Sequence, residues 1–220
     1  EKFSHQSPFI YANNNPSNLI DYMGLNADGY LMDENGKIDP KPVNAEGGNN
    51  YDVIYNNQLY SEEKKKDYDV SGNKTGIAVT KQVLENNTKT ELVITDDAGS
   101  KTGEVLTRDT YKTKNSAEAQ LLMNFVDKNT NVEWSNTTMS RNDENLNVLI
   151  TTHESDRVTL GTGKLLQYKH SGYSIRKDDH IHPSQFSPNA SGSDMKRKRV
   201  LSPANDAKYR ILYQGKYYSY

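Results

Sequence analysis

The sequence predicts an α+β fold, and three features of its second half predict it. Residues 115–129 form the best helix candidate, with apolar residues recurring on one face. Three strand-like segments follow at 131–139, 145–153 and 172–178. The chain ends on "AKYRILYQGKYYSY", in which Gln214-Gly215 separates two aromatic-rich segments and predicts a hairpin. A helix followed by strands, a histidine-rich loop, a short helix and a hairpin indicates an α+β domain.

The predicted helix at 115–129 has Ser116 as its candidate N-cap. Its apolar face is expected to consist of Leu121, Leu122, Phe125 and Val126. A short helix is also expected in "MKRKRVL", where the basic residues 196–199 are interpreted as a solvated face. The "GTGK" segment at 161–164 lacks the spacing of a phosphate-binding loop and is interpreted as a turn.

The first half of the chain is polar, and we expect an irregular, β-containing segment there. The Asn35-Gly36 pair between apolar residues predicts a hairpin. Strands are predicted at 51–55, 76–84, 90–95 and 104–111, and the charged run 61–69 is interpreted as solvated. The remainder of residues 1–50 has the composition of loops.

Composition excludes several classes of function. Only 33% of the 220 residues are hydrophobic, and the formal net charge is −2 with both signs mixed, so neither nucleic acid nor an anionic membrane is an expected partner. The absence of cysteine excludes disulfides, thiolate catalysis and Cys-based zinc sites. No apolar run approaches the roughly 18 residues needed to span a bilayer. The first residues show neither a Met nor a signal peptide, and we interpret the chain as excised from a longer protein.

The stretch "DDHIHPSQFSPNASGSD", residues 178–194, is the strongest functional signal. On an extended strand end, His180 and His182 point to the same side. Asp194 stands where a helix is expected to begin, with Ser191 three residues before it. Two imidazoles and a carboxylate form a zinc site whose fourth position stays open, which suits amide hydrolysis. The alternative is a polar loop in which both histidines only hydrogen-bond to backbone.

The pattern H-x-H-P followed by S-x-x-D resembles the JAMM motif of the JAB/MPN metalloproteases. The spacer from 183 to 193 is one residue longer than is usual in that family. The resemblance implies a mixed sheet of the cytidine-deaminase-like type with flanking helices. It also implies that His180, His182 and Asp194 bind Zn²⁺, and that the Ser191 hydroxyl stabilises the oxyanion of the tetrahedral intermediate.

In the same family a glutamate on an earlier strand serves as general base and then acid. The candidates are Glu133, Glu144 and Glu154, and Glu133 is preferred because its predicted strand follows a helix. The alternative for Glu133 is an exposed strand residue beside a packed Trp134. His153 is interpreted as a surface residue or an outer neighbour of the metal site rather than a ligand.

The opening segment 7–25 resembles the end of the RHS/YD-repeat core that precedes variable C-terminal toxins. The matching residues are Tyr11, Asn14, Asn15, Pro16, Asp21 and Gly24. Phe9 and Tyr22 depart from the pattern, where a Tyr and a Pro are expected. Taken with the metalloprotease-like half, this resembles the JAB-like toxin domain of bacterial polymorphic toxins.

These observations divide the chain into a junction at 1–25, an accessory segment at 26–110 and a metalloprotease-like domain at 111–220. The preferred hypothesis is a zinc metallopeptidase or isopeptidase toxin, delivered into a target cell and opposed by a cognate immunity protein. One alternative is an inactive MPN-like binding module at the end of a cell-surface repeat protein. Another is a purely structural end-piece. The substrate is not identified by the sequence.

Overall fold

The structure, a computed structural model, describes residues 28–43, 51–60, 76–95, 100–156, 158–202 and 206–220. The predicted junction at 1–25 and the charged run 61–69 lie outside the described residues. Among the described residues the chain forms two sheets and four α-helices, which confirms the α+β prediction.

The strands are β1 (Asp28–Met32), β2 (Tyr51–Asn56), β3 (Gly76–Thr80), β4 (Thr88–Thr95), β5 (Lys101–Thr113), β6 (Trp134–Arg141), β7 (Glu144–Thr151), β8 (Ser174–Ile181), β9 (Lys208–Tyr213) and β10 (Lys216–Ser219). The α-helices are α1 (Lys81–Glu85), α2 (Ser116–Asn129), α3 (Thr162–His170) and α4 (Gly192–Leu201).

The larger sheet has seven strands in the order β10-β9-β8-β6-β7-β5-β4. Its neighbouring strands are antiparallel except for β8 and β9, which run parallel, so the sheet is mixed. The smaller sheet has the order β1-β2-β3. β4 and the first part of β5 precede residue 111 in the chain, and they pair within the larger sheet.

The larger sheet is covered on both faces. One face carries Tyr111, Trp134 and Leu149, which pack with α2 and with the apolar side chains of the smaller sheet. The other face carries Val148 and Ile150, which pack with residues of α3 and α4. We call these the α2 face and the α4 face. Burial on both sides holds the sheet rigid, and a rigid strand end is a suitable support for a site.

Three details of the predicted elements are wrong. The N-cap of α2 is Asn115 rather than Ser116, because the Asn115 side chain accepts the backbone N–H groups of residues 117 and 118. The strand predicted at 76–84 ends at Thr80, opposite the first residue of β2, and α1 follows. The predicted turn at 161–164 instead leads into α3, whose Leu165 is fully buried on the α4 face.

The predicted C-terminal hairpin is confirmed. Gln214 and Gly215 both have positive φ, 50° and 77°, between β9 and β10. Asn142 and Asp143, at 51° and 63°, form a similar two-residue turn between β6 and β7. Such turns match the twist of the paired strands and fix their register. No helix among the described residues is long and apolar enough to cross a membrane.

Candidate metal centre

The two histidines lie at the C-terminal end of β8. His180 is in the strand, and His182 follows its last residue, Ile181. The strand geometry continues past this end, because the His182 backbone N–H donates to the Leu212 carbonyl over 3.0 Å. Since side chains on a strand alternate, both imidazoles point to the same side, as predicted.

Asp194 is held by the first turn of α4. Ser191 is the N-cap, and its hydroxyl oxygen accepts the Asp194 backbone N–H at 3.2 Å. In return, Asp194 Oδ2 accepts the Ser191 backbone N–H at 2.6 Å. This reciprocal capping box fixes the carboxylate relative to the helix backbone.

The three side chains converge on one point. His180 Nε2 lies 3.0 Å from His182 Nε2 and 3.2 Å from Asp194 Oδ1. His182 Nε2 lies 3.4 Å from Asp194 Oδ2. Ligands at normal zinc distances in a tetrahedron are about 3.3 Å from one another. The spacing of the three side chains therefore fits one shared metal ion, and all three residues are buried.

The hydrogen bonding of His182 also fits a cation. Its Nδ1 lies 2.6 Å from the Ser187 carbonyl oxygen, which only accepts, so Nδ1 carries the proton. In its neutral form, which is the form that binds a metal, the ring presents a lone pair at Nε2 that faces the second imidazole and a carboxylate. Lone pairs and a negative charge that converge in a buried site are stabilised by a positive ion between them.

The pKa shifts of Asp194 and His182 also fit a metal site. Burial alone would raise the pKa of Asp194, but the contacts with His180 and His182 hold it well below its ordinary value. Burial alone would lower the pKa of His182, yet its hydrogen bonds to Asp194 and Ser187 raise it. The site thus favours a carboxylate with positive charge beside it, as a metal site requires.

Glu133 is the candidate base that lies beside this centre. It immediately precedes β6, where Ser135 pairs with His180, and the alternation of side chains puts Glu133 on the same α4 face. Its Oε1 is 4.0 Å from His182 Nε2, and the residue is only 7% exposed.

The other two candidate bases point elsewhere. Glu144 begins β7, is exposed, and pairs with Lys114 at 3.0 Å. The Glu154 backbone carbonyl accepts the Glu133 N–H at 2.8 Å, and Glu154 is one of the residues that line a separate cavity.

His153 lies in that separate cavity, which has a volume of about 700 Å³. Its Nδ1 is 3.0 Å from the Asn35 carbonyl oxygen, and its Nε2 is 3.3 Å from Asp109 Oδ2. The backbone of His153 is left-handed, with φ of 62°. The residue therefore connects the 33–37 turn to β5 and is not a ligand of the centre.

Two charged residues beside the centre were missed. Arg197 was expected on a solvated helix face, but it is 2% exposed and forms a two-pronged ion pair with the fully buried Asp178. Asp178 lies two residues before His180, and Arg197 lies three residues after Asp194. This spacing was the signal available in the sequence. Two residues along a strand, or three along a helix, place a side chain on the same face as the neighbouring ligand.

Comparison with known proteins agrees with this geometry. No curated protein and no solved structure matches the chain. Residues 111–208 match the family model described as JAB-like toxin 1. That range contains the histidines, the aspartate and the preceding glutamate, and the mixed sheet is consistent with the same family. Residues 111–208 are therefore similar to a JAB-like toxin domain.

Proposed function

We propose that the chain is a zinc-dependent hydrolase toxin that cleaves an amide bond, as a peptidase or isopeptidase. The observation that carries this proposal is the convergence of His180, His182 and Asp194, with the carboxylate of Glu133 at 4.0 Å from one ligand nitrogen. Zn²⁺ in such a site, when bound, lowers the pKa of water to about 7 and polarises a carbonyl group.

Glu133 is proposed as the proton carrier. A carboxylate accepts a proton from the attacking water and then gives it to the leaving amine nitrogen, which makes it base and acid in turn. The near-complete burial of Glu133 supports this role, because water exclusion strengthens the interaction of a carboxylate with a developing charge. Its anchored backbone keeps the carboxylate on the α4 face beside the histidines.

Ser191 is proposed to stabilise the oxyanion. Its hydroxyl oxygen accepts the Asp194 backbone N–H, and the hydroxyl proton therefore remains available as a donor. A donor already positioned by a helix N-terminus loses little entropy when negative charge develops on the substrate oxygen. In this proposal, the Ser191 oxygen caps α4 and the Ser191 proton is donated to the substrate oxyanion.

The biological role is proposed from the toxin family. The JAB-like toxin match supports an effector that is delivered into a target cell and is neutralised in its producer by an immunity protein. The RHS-like opening of the sequence supports release from a longer repeat protein. The substrate class we propose is a protein or peptide, because amide hydrolysis is the chemistry that this centre favours.

The proposal is tested by Glu133→Gln, which keeps size and polarity but removes the base. We expect loss of growth inhibition when the variant is expressed in a bacterium, with zinc content and the free energy of unfolding retained. Glu144→Gln is the matched control, since Glu144 is exposed and pairs with Lys114 rather than with the centre. Full toxicity of Glu133→Gln would overturn the mechanism.

A further inference from the structure

Two cross-links join α4 to β8 on the α4 face of the sheet. The first is the centre itself, in which His180 of β8 contacts Asp194 of α4 at 3.2 Å. The second connects Asp178 and Arg197: Nε donates to Oδ2 at 2.8 Å, and Nη2 donates to Oδ1 at 2.9 Å. Asp178 precedes His180 by two residues, and Arg197 follows Asp194 by three. The two cross-links therefore lie side by side.

The second cross-link is fully buried and tied to the sheet. Asp178 is 0% exposed and Arg197 is 2% exposed. Asp178 also accepts a hydrogen bond from the Thr137 hydroxyl of β6, so the carboxylate is fixed from two strands. Although burial alone would raise the pKa of Asp178, Arg197 keeps it below its ordinary value. Removing two charges from water offsets much of their attraction, so such a pair contributes little net stability compared with apolar residues.

Besides the hydrogen bond from Lys198 to the Tyr220 carbonyl near its C-terminal end, α4 has little apolar packing to fix its orientation. Its buried residues are Asp194, Arg197 and Leu201, and Leu201 is the apolar one among them. Met195 and Val200, also apolar, are 38% and 42% exposed. Ordinary amphipathic helices are oriented by a broad apolar stripe, and α4 lacks one. The two-pronged geometry of a guanidinium and a carboxylate supplies the missing directional constraint.

We propose that the Asp178–Arg197 ion pair positions α4 on β8 so that the Asp194 carboxylate reaches the two histidines. Both residues are positioning residues, acting through Asp194 and His180 without touching substrate. The inference rests on the metal centre of the proposed function. Because a helix rises about 1.5 Å per residue, a slip by one residue already separates Asp194 from the histidines.

The chain provides a matched control pair on the opposite side of the same strand. Asp179 and Arg210 form an equally two-pronged ion pair, with both hydrogen bonds at 2.9 Å. Asp179 is also 0% exposed, but this pair lies on the α2 face and joins β8 to β9. It has the same chemistry and does not hold α4.

The experiment compares the double variant Asp178→Asn/Arg197→Met with the control Asp179→Asn/Arg210→Met. Zinc affinity is measured by competition with a chromophoric chelator, and ligand geometry is read from the visible absorption of the cobalt-substituted protein. We expect the first variant to bind zinc about tenfold to a hundredfold more weakly, with an altered cobalt spectrum. The control is expected to retain the affinity and spectrum of the wild type.

The outcomes separate this inference from the proposed function. A wild type that takes up no zinc or cobalt overturns both. A wild type that binds, with unchanged affinity and spectrum in the folded double variant, overturns the positioning role alone. If circular dichroism shows that the double variant does not fold, the single variant Arg197→Lys is used instead. It keeps the positive charge but removes the two-pronged hydrogen bonding of the guanidinium. Wild-type affinity and spectrum in the folded Arg197→Lys protein would then overturn the positioning role.

Discussion

Ser191 has two physical roles at the start of α4, and different measurements report on them: stability on the cap and toxicity on the proposed donor. Its oxygen caps the helix by accepting the Asp194 backbone N–H. Its proton is the proposed oxyanion donor. Losing an N-cap costs about 1 kcal/mol of stability, while losing an oxyanion donor costs about a hundredfold to a thousandfold in rate.

We predict that Ser191→Ala abolishes most of the growth inhibition and lowers the free energy of unfolding only by the cap contribution. Ser191→Thr keeps both the acceptor and the donor, and it should restore toxicity. Growth curves at matched expression, together with urea unfolding of both variants, measure the two effects. Equal toxicity of the Ala and wild-type proteins would show that the hydroxyl has no part in the reaction.

At this scale the sequence predicted the local features and missed the buried charge. His180, His182 and Asp194 were predicted because the strand period and the S-x-x-D capping pattern act within a few residues. Arg197 was not predicted, because its three-residue interval from Asp194 lies within a run of four basic residues, a pattern typical of a solvated face. Its long-range partner Asp178 comes into contact with it only in the fold.

Among the elements, the 33–37 turn is the connection between the smaller sheet and the start of β6. Gly36 has φ of 68°, and a Cβ there would lie 2.7 Å from Trp134 Nε1 and 3.1 Å from Val132 Cγ2. Trp134 is fully buried and stacks on Tyr111 with ring centroids 5.3 Å apart, so it has no room to move. A side chain at residue 36 would therefore push on the start of β6, directly after Glu133.

We predict that Gly36→Ala destabilises the protein far more than Gly103→Ala. Both glycines have positive φ, which costs an L residue about 1 to 2 kcal/mol. A Cβ at Gly103 meets nothing within 4 Å, so its substitution reports the backbone cost alone. The added overpacking at Gly36 should cost about 1 to 3 kcal/mol more. Urea unfolding, monitored by the fluorescence of the single tryptophan, measures the stability of both variants. Equal losses of stability would contradict the tight contact at Gly36.

The elements that were predicted well have strong local signals. The α2 helix shows a 3.6-residue pattern, and the C-terminal hairpin has a two-residue turn with both residues left-handed. The α3 helix was missed because its first residues, Thr162 and Gly163, are poor helix formers. Burial of Leu165 against the α4 face stabilises it, and such tertiary packing is not visible in a short window of sequence.

For the molecule as a whole, the smaller sheet stabilises the fold through a shared core and also introduces a buried charge. Asp52 of β2 is 2% exposed, and its Oδ1 has no hydrogen-bond partner among the described residues. Burial is the main cause that raises the pKa of Asp52 to about 6. The positive charge of Lys81 opposes this rise, and the negative charges of Asp28 and Glu85 add to it. The folded protein therefore binds this proton more tightly than the unfolded chain does.

We predict that the Asp52 contribution to stability is largest at acid pH. This contribution, up to about 3 kcal/mol, should be lost as the pH rises from about 4, the pKa in the unfolded chain, through about 6, the pKa in the folded protein. Asp52→Asn should remove this loss, so that the variant gains stability over the wild type at pH 7.5 but not at pH 4. Urea unfolding at the two pH values tests this, with the exposed Glu91→Gln as control. Parallel pH profiles for Asp52→Asn and wild type would contradict the assignment.

We infer that His180, His182 and Asp194 bind one metal ion, and the metal content of the purified protein is the direct test. Mass spectrometry of the purified chain, beside Asp194→Ala after the same zinc incubation and desalting, is the measurement. We predict close to one zinc per wild-type chain and almost none in the variant, with both proteins folded. A wild type without zinc, or a variant that retains it, would contradict the metal centre.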